Sequence, residues 1–361
     1  MPVGERGSRP TPWCCCKMTD SPKNGLAWTL GEPVARAVLR SHAEDFIVEE
    51  LPACAPHGEG GHAWLVVQKR HHNTEWVAGE LARFAGVGPE AVGYAGLKDR
   101  HALTTQVFTV ELDKQPEPDW QKLSVEGVAI LAVDRHRQRL RRGALRENRF
   151  TLILREISER QSVEERLGQL AEGVPNYFGP QRFGHGGGNL AQARAMFAGQ
   201  LREASAHIRS LYTSAARSWL FNQVLSERVA AGSWRDALPG EALIMPGSDS
   251  TLSLARIDAA IQERIARGDL QPSGPLWGRG QPLPKGEALA FEQNILASEP
   301  ALCRGLEKAG LKQQRRALKL TPKGLEWRWL AKDVLQISFS LPPGSYATSV
   351  LRELCYFVEA S

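Results

Sequence analysis

Paired cysteines are missing from this sequence. Its six cysteines are divided between a polar N-terminal segment and the body of the chain: Cys14, Cys15, Cys16, Cys54, Cys303 and Cys355. No two of them stand in the C-x-x-C spacing, so we expect neither a structural zinc site nor a disulfide framework. The histidines show no metal-ligand spacing either: His42, His62, His71, His72 and His101. The sequence therefore predicts no bound metal.

Long apolar runs are also missing. No stretch approaches the roughly 20 apolar residues that cross a bilayer, and the N-terminus lacks the apolar core of a secretory signal. At 361 residues and 42 % hydrophobic content, the chain can build one large domain or two of ordinary size. We expect a cytoplasmic monomer with no membrane segment. Residues 1–28 are expected to form a disordered tail, in which Met18 is an alternative start.

The net charge of +5 is small, but the cations are unevenly distributed. One cluster spans residues 135–149 and has Glu147 as its sole acid; we expect it to contact nucleic-acid phosphates through Arg135, Arg137, Arg139, Arg141, Arg142 and Arg146. A second cluster holds Lys312, Arg315, Arg316, Lys319 and Lys323. A guanidinium can bind two phosphate oxygens at once. Either cluster alone is compatible with a solvated basic face or a calmodulin-binding helix, whereas two of them favour a nucleic-acid partner.

Apolar periodicity predicts strands near both ends of the chain and helices between them. Alternation predicts strands at 46–50, 64–68, 105–112, 149–157 and 335–341. Helical spacing predicts a helix from Asn73 or Thr74 to Gly86, and further helices at 163–170, 190–203, 213–231 and 255–267. A short β segment is expected near 242–254, and a final helix is expected to carry Val350, Leu354 and Val358. This order predicts an α+β fold whose two ends pair into one sheet.

Segment 93–106, Gly-Tyr-Ala-Gly-Leu-Lys-Asp-Arg-His-Ala-Leu-Thr-Thr-Gln, places one acid between two cations. Asp99 lies between Lys98 and Arg100, after glycines and before a strand pattern. Nearby cations favour the charged form of a carboxylate. Such a carboxylate can act as nucleophile or base on an anionic substrate that the same cations attract. A solvated surface turn explains the tripeptide equally well, so other motifs must decide.

Three further residues have chemistry suited to an RNA base. Phe46 is an aromatic beside two acids on a short strand, Asn148 presents an amide at a strand start, and Tyr346 lies on a strand-to-helix turn. Taken singly, each also has an ordinary explanation as a core, turn or helix-start residue. The glycine-rich stretch 184–189 lacks the Lys-Ser/Thr ending of a P-loop, so we expect a flexible turn there and no nucleotide cofactor.

Five ordered motifs resemble the TruD family of tRNA pseudouridine synthases, over the chain from about Leu30 to the end. They are EDFIVE at 44–49, GLKDRHALTTQ at 96–106, RGALRENRFT at 142–151, VPNYFGPQRFG at 174–184 and PGSYATSVLRE at 343–353. The resemblance implies a catalytic role for Asp99 and substrate contacts for Phe46, Asn148 and Tyr346. Tyr346 stands where bacterial members commonly have phenylalanine, which leaves the partner of its phenol open.

The resemblance also implies the architecture and the substrate. A pseudouridine-synthase catalytic domain at 29–173 and 321–361, an α+β fold around a mixed sheet, is expected to be interrupted by a mainly helical insertion domain at 174–320. The implied substrate is tRNA, with uridine 13 of the D-arm as the target. Uridine isomerisation involves no redox step and no energy input, so neither a cofactor nor a metal is expected.

These residues predict a mechanism in part. The target base must leave its stack, and stacking on Phe46 or Tyr346 would recover about 1–3 kcal/mol. The amide of Asn148 can both donate to and accept from the uracil edge. Asp99 is expected either to attack C1′ or to remove the C2′ proton, and the sequence leaves both open. Lys98 and Arg40 are the candidate cations beside it.

Two other functions are compatible with the sequence. A non-catalytic RNA-binding or RNA-folding protein on the same fold is the main alternative, and the intact Lys-Asp-Arg context of Asp99 argues against it. A hydrolase that uses Asp99 with a histidine such as His101 is weaker, because no nucleophile, base and orienting group can be identified.

Overall fold

A computed structural model describes residues 25–112, 116–201, 204–247, 250–254 and 256–359. The expected tail at 1–28, with its cysteine triplet and Met18, therefore lies outside the described residues as far as residue 24. Its last residues are packed, because the Ala27 amide donates to Ser226 Oγ at 2.8 Å and the Trp28 ring lies 3.9 Å from the Arg352 guanidinium. The tail expectation is thus wrong for residues 27 and 28.

Sixteen strands are present in the described residues. They are β1 (Arg36–Leu39), β2 (Phe46–Pro52), β3 (His62–Lys69), β4 (Val92–Tyr94), β5 (Leu103–Glu111), β6 (Val128–His136), β7 (Leu145–Arg155), β8 (Val174–Pro175), β9 (Ala242–Ile244), β10 (Thr251–Ser253), β11 (Gln271–Leu276), β12 (Gln314–Ala317), β13 (Lys319–Leu320), β14 (Lys323–Ala331), β15 (Val334–Leu341) and β16 (Tyr356–Glu359). The helices are α1 (Thr74–Ala85), α2 (Arg160–Leu170), α3 (Gly188–Phe197), α4 (Ala206–Ala230), α5 (Ala259–Arg267), α6 (Gly286–Leu296), α7 (Pro300–Lys308) and α8 (Ala347–Leu351). None of these helices is long and apolar enough to cross a membrane.

A ten-stranded mixed sheet forms the centre of the fold. Seven strands follow the order β14-β15-β7-β2-β5-β3-β6, while β1 pairs with β7 and β16, and β4 pairs with β5. The pairs β2–β5 and β1–β16 are parallel, and the other pairs described in this sheet are antiparallel. The predicted α+β class with a mixed sheet is confirmed.

The two ends of the chain meet in this sheet, as predicted. β7 and β15 are antiparallel neighbours, with Phe150 opposite Phe339 and Leu152 opposite Ile337. These four side chains are buried, because alternate residues of both strands point to the same core. The pairing places the loop after β15, which leads to Tyr346, next to the start of β7.

The middle of the chain forms a second group of elements. Helices α3, α6 and α7 pack around buried residues of α4, including Trp219 and Phe221, beside a four-stranded sheet in the order β10-β9-β11-β12. The short strands β8 and β13 pair where the chain enters and leaves this group. The domain boundaries at 173/174 and 320/321 stay a prediction.

Several predicted elements have different bounds. The final helix ends at Leu351, and Val358 lies in β16, where it pairs with Val38 in a parallel ladder. The helix expected at 255–267 begins only at Ala259, because Asp258 caps it by accepting a hydrogen bond from the Ile261 amide. The stretch 184–189 forms a short 3-10 turn and the first residues of α3.

Candidate active site

The turn that carries Asp99 joins β4 to β5 and is anchored from both sides. The Lys98 amide donates to Thr74 Oγ1 at 2.9 Å, at the start of α1. The Gln106 amide group donates to the Gly96 carbonyl at 3.2 Å, and Thr74 Oγ1 donates to Gln106 Oε1 at 2.9 Å. Thr74 and Gln106 are almost fully buried. These contacts fix the backbone of the turn relative to α1 and β5.

Arg40 is the cation that pairs with Asp99. Its Nη2 lies 2.6 Å from Asp99 Oδ2, and its Nη1 donates to both carboxylate oxygens of Glu359 at 3.1 and 3.2 Å. The His101 amide donates to Asp99 Oδ1 at 3.0 Å. The Arg40 side chain is 8 % exposed, whereas that of Asp99 is 30 % exposed. Asp99 is therefore oriented through both oxygens and still reachable from solvent.

The backbone of Arg40 is held in an unusual conformation. Its φ of 63° lies in the left-handed region, which non-glycine residues seldom adopt. The residue follows directly after β1, and its guanidinium reaches back to Glu359 in β16 and across to Asp99. The position of this cation therefore depends on the parallel pairing of β1 with β16.

Lys98, the other candidate cation, does not pair with Asp99. Its Nζ forms an ion pair with Glu50 on β2, and the two side chains are 6 % and 0 % exposed. Glu50 Oε1 also accepts a hydrogen bond from the Val107 amide at 3.3 Å. The expectation that Lys98 supports the carboxylate directly is wrong, because Lys98 points into the core and away from the open side of the turn.

Sequence reasoning missed Lys69, a fully buried lysine at the end of β3. Its Nζ donates to the carbonyl oxygens of His72 at 2.8 Å, Asp99 at 3.0 Å and Lys98 at 3.4 Å. Burial lowers the pKa of this ammonium to about 8; Asp99 opposes the shift and Lys98 adds to it. Lys69 thus ties the Asp99 turn to the segment before α1. A lysine at a strand end gives no sequence signal of burial.

Phe46 lies beneath Arg40. Its side chain is only 4 % exposed, the Arg40 guanidinium carbon lies 4.1 Å from its ring centroid, and Phe150 contacts the ring edge-on at 6.2 Å. A guanidinium over an aromatic face is held by the ring quadrupole. Stacking of a base on Phe46, as expected from the sequence, is not supported, because Arg40 already covers the ring.

Asn148 lies in β7 between two strands. It is opposite Glu50 of β2 and Leu341 of β15, and it shares a sheet face with Phe150. Its side chain is half-buried, and its Oδ1 has no hydrogen-bond partner in the part of the chain that the structure describes. An amide oxygen held without a partner is costly in a folded protein unless a ligand supplies one.

Tyr346 is held by the middle group of elements. Its phenol oxygen accepts a hydrogen bond from Arg182 Nε at 2.8 Å, and Arg182 Nη1 donates to Ser214 Oγ at 2.9 Å. The ring also packs edge-on against Phe178 at 5.9 Å. Arg182 is therefore the phenol partner that the sequence left open. Among the described residues, no contact joins Tyr346 to Asp99.

The first arginine cluster lies on the surface at the end of β6, in the following loop and at the start of β7. Four members have local partners: Arg135 pairs with Glu117 at 3.1 Å, Arg137 with Glu59, Arg142 with Glu75 at 3.5 Å, and Arg139 donates to the Val92 carbonyl at 2.8 Å. Arg141 and Arg146 are exposed, and their side chains have no ion pair or hydrogen bond within the described residues. Five of the six arginines are exposed, and Arg135 is partly exposed.

The second cluster is largely structural. Arg315 is 3 % exposed and binds the Glu292 carboxylate at 2.6 and 2.9 Å. Arg316 donates to Asn176 Oδ1 at 2.6 Å and to the Gly344 carbonyl at 3.0 Å, with its guanidinium 4.1 Å from the Phe178 ring centroid. The expectation of an RNA surface is wrong for these two arginines, because their donors are already used inside the protein.

Comparison with known proteins agrees with the motifs. A sequence profile of tRNA pseudouridine synthase D (TruD) matches residues 26–204 and 187–354. The tRNA pseudouridine synthase D of Nitrosococcus oceani is 51 % identical over 340 residues, with 93 % of this chain and 95 % of the relative covered. That of Methylococcus capsulatus is 47 % identical over 329 residues, with 91 % and 93 % covered.

The fold has a solved counterpart. A crystal structure from Methanosarcina mazei, described as a candidate tRNA pseudouridine synthase D (TruD), superposes with a TM-score of 0.72 at 22 % identity. It covers 91 % of this chain and 95 % of its own. Profile and relatives together confirm the resemblance predicted from the five motifs. The chain belongs to the tRNA pseudouridine synthase D (TruD) family.

Proposed function

We propose that this chain isomerises uridine to pseudouridine in tRNA, with Asp99 as the catalytic carboxylate. The proposal rests on the orientation and exposure of Asp99. Arg40 and the His101 amide each bind one of its carboxylate oxygens, yet 30 % of its side chain is exposed. Both oxygens are thus oriented while the carboxylate stays within reach of a substrate, an accessibility that the sealed carboxylate of Glu50 lacks. The names of the relatives, at 47–51 % identity, supply the reaction and the substrate class.

The reaction requires little beyond a positioned carboxylate. The bond between N1 and C1′ breaks, the uracil turns, C5 joins C1′, the C5 hydrogen leaves as a proton and N1 takes up a proton, so atoms and electrons balance without an oxidant. Asp99 either attacks C1′ or takes the C2′ proton. In both cases Arg40 keeps the carboxylate oriented, so that no reorganisation of this group is needed at the moment of reaction.

Neighbouring side chains have separate parts in this proposal. Asn148 Oδ1, which lacks a partner, accepts a hydrogen bond from the uracil N3–H of the extruded base. Phe46 supports Arg40, and Tyr346, fixed by Arg182, offers a ring to the substrate. Uridine 13 of the D-arm is the proposed target, the chain is proposed to act as a monomer, and residues 174–320 are proposed as the insertion domain.

The exposed arginines supply the proposed RNA-backbone contacts. Arg141 and Arg146 are available directly, whereas Arg135 and Arg137 must first leave surface ion pairs with Glu117 and Glu59. Exposed pairs of that kind contribute only about 0–1 kcal/mol, so they are readily exchanged for phosphates. Binding should therefore weaken steeply as salt is added.

Tritium release from tRNA labelled at uridine C5 tests this function, since pseudouridine formation frees the C5 hydrogen. We expect release from a tRNA with uridine 13, a carbodiimide-dependent reverse-transcription stop at that position, and neither result from a transcript with cytidine 13. Release with the stop at another uridine would refute the target but keep the activity. Tight tRNA binding without tritium release would overturn the function and favour a non-catalytic RNA-binding protein.

A further inference from the structure

A cavity of about 720 Å³ lies beneath part of the first arginine cluster. It is lined by β4, by His62 of β3 and by the segment 138–142, which we call the strap. The lining residues are His62, Val92, Gly93, Tyr94, Gln138, Arg139, Leu140, Arg141 and Arg142. Cavities of roughly 300–1,000 Å³ are the size that small organic ligands occupy. A single nucleotide fits within this volume.

The strap is fixed above β4. Leu140 is buried, and its amide donates to Thr109 Oγ1 at 2.9 Å. A Cβ on Gly93 would lie 2.6 Å from both Arg139 Cγ and the Leu140 carbonyl oxygen, so only glycine permits this approach. The Gly143 amide donates to the Ala95 carbonyl at 2.7 Å. These contacts fix the lining of the cavity, and Tyr94, its last residue on β4, lies five residues before Asp99 in the sequence.

The lining has the chemistry of a nucleotide site. The Arg141 guanidinium is exposed and has no partner in the described part of the chain, while Arg139 is oriented by the Val92 carbonyl. Arg142 donates to the Tyr94 phenol at 3.0 Å and lies 4.5 Å from its ring centroid, which makes a flat cationic surface. Guanidiniums bind phosphates and also stack on bases.

Gln138 adds a group that can distinguish bases. Its side chain is exposed on the strap, where its amide can donate to and accept from a base edge at once. Arginine, an aromatic ring and an amide around one cavity are the groups with which proteins bind an unstacked RNA nucleotide. A purely electrostatic surface would need the cations alone.

We propose that this cavity binds a second nucleotide of the substrate RNA, one that does not react. Its phosphate binds Arg141 and Arg139, and its base lies against the Arg142 guanidinium, which Tyr94 supports from below, within reach of Gln138. The proposal rests on the proposed tRNA substrate. Because Gly143, directly after the strap, donates to the Ala95 carbonyl, occupancy of the cavity fixes the RNA relative to the Asp99 turn.

The test compares two exposed arginines of the same cluster. Full-length protein carrying Asp99→Asn binds labelled tRNA without turnover, and the Kd is measured with Arg141→Gln or Arg146→Gln added. Arg141 lines the cavity and Arg146 does not, so we expect the first change to raise Kd about tenfold and the second about twofold. Equal effects would show that the cluster acts as a charged surface only, which overturns the proposal.

A neutral substitution gives the second arm. Gln138→Leu leaves the charge unchanged, and we expect it to raise the Kd about fivefold, because an amide-to-base contact is lost. Irradiation of tRNA containing 4-thiouridine should crosslink to Tyr94 or to the strap. A silent Gln138→Leu and crosslinks elsewhere in the chain would refute the site. Since these arms measure binding, a failure of the isomerase function appears separately, as wild-type protein that releases no tritium.

Discussion

Asp99 and Lys98 are neighbours in one motif, yet the ion pairs that they form differ in the solvent exposure of their side chains. In the pair Asp99–Arg40 the acid is 30 % exposed and the cation is 8 % exposed. In the pair Lys98–Glu50 the side chains are 6 % and 0 % exposed, and the cation rather than the acid comes from the motif. The same charge chemistry is therefore accessible at one residue and sealed at the next.

The comparison teaches how burial assigns different tasks to similar pairs. A sealed pair has lost its hydration, so removal of one partner leaves a charge that nothing compensates. An open pair can give up part of its contact to a substrate at little cost in folding. We therefore expect changes at Lys98–Glu50 to affect stability and changes at Asp99–Arg40 to affect turnover.

Glu50→Gln should have the largest effect on folding. It leaves the Lys98 ammonium buried without a counter-charge, and the expected loss in the free energy of unfolding is about 3–5 kcal/mol. Urea unfolding measures it. Glu49→Gln is the matched control, since Glu49 is exposed on the same strand and should change stability by less than about 0.5 kcal/mol. Equal stability of the two variants would remove the distinction between the pairs.

Arg40→Met should reduce the single-turnover rate about 100-fold, because Asp99 loses the group that orients it. Arg40→Lys keeps the charge but cannot bind Asp99 and Glu359 through one planar group, so we expect it to recover about tenfold of that loss. Arg36→Met, an exposed change at the start of the preceding strand β1, is the control. An Arg40→Met variant with wild-type turnover would show that the pair has no catalytic part.

Lys69→Met tests the support beneath Asp99. It removes the donor shared by the His72, Lys98 and Asp99 carbonyls, and we expect a rate loss of about tenfold from a less fixed turn. Lys122→Met changes an exposed lysine and should have no effect on the rate. A rate unchanged by Lys69→Met, in folded protein, would mean that α1 and β5 fix the turn by themselves.

The smallest expected effect is on the pH dependence of stability and of turnover. Its direction follows from the pKa of Lys69. Its pKa of about 8 in the folded protein is below the ordinary 10.5. The unfolded state thus binds more protons between these values, and this group makes stability rise with pH across that window. Turnover should move the opposite way, falling a few-fold above about pH 8 as the ammonium loses a donor. A pH–rate profile checks this, and Lys69→Met should lack the decline.

Much of the fold follows from local patterns. Alternation in β7 and β15 predicts their buried faces, because both strands have one face in the core. β6 and β14 were missed because most of their residues are exposed on both faces, so neither shows an apolar period. The spacing of Val350, Leu354 and Val358 predicts one helix through β16, but Val358 lies in a strand. That strand forms by parallel pairing with β1, a distant segment that the local spacing does not reveal.

The candidate site was predictable in its residues but not in their partners. The motifs predict Asp99, Asn148 and Tyr346 as site residues. The sequence does not show whether Lys98 or Arg40 forms the ion pair with Asp99. Arg40 meets Asp99 through the pairing of β1 with β16, which joins residues more than 300 positions apart. The burial of Lys69 could not be predicted, because its three acceptors are backbone carbonyls. Every residue has a carbonyl, so no residue type in the sequence marks these acceptors.

The most direct test is the single-turnover rate of Asp99→Asn with tRNA fully bound. Asparagine keeps the size of the side chain and removes the charge, so the protein should fold and bind tRNA as the wild type does. We predict a rate of tritium release at least about 1,000-fold lower, equivalent to about 4 kcal/mol of transition-state stabilisation. Release within about tenfold of the wild-type rate would contradict the role assigned to the Asp99 carboxylate.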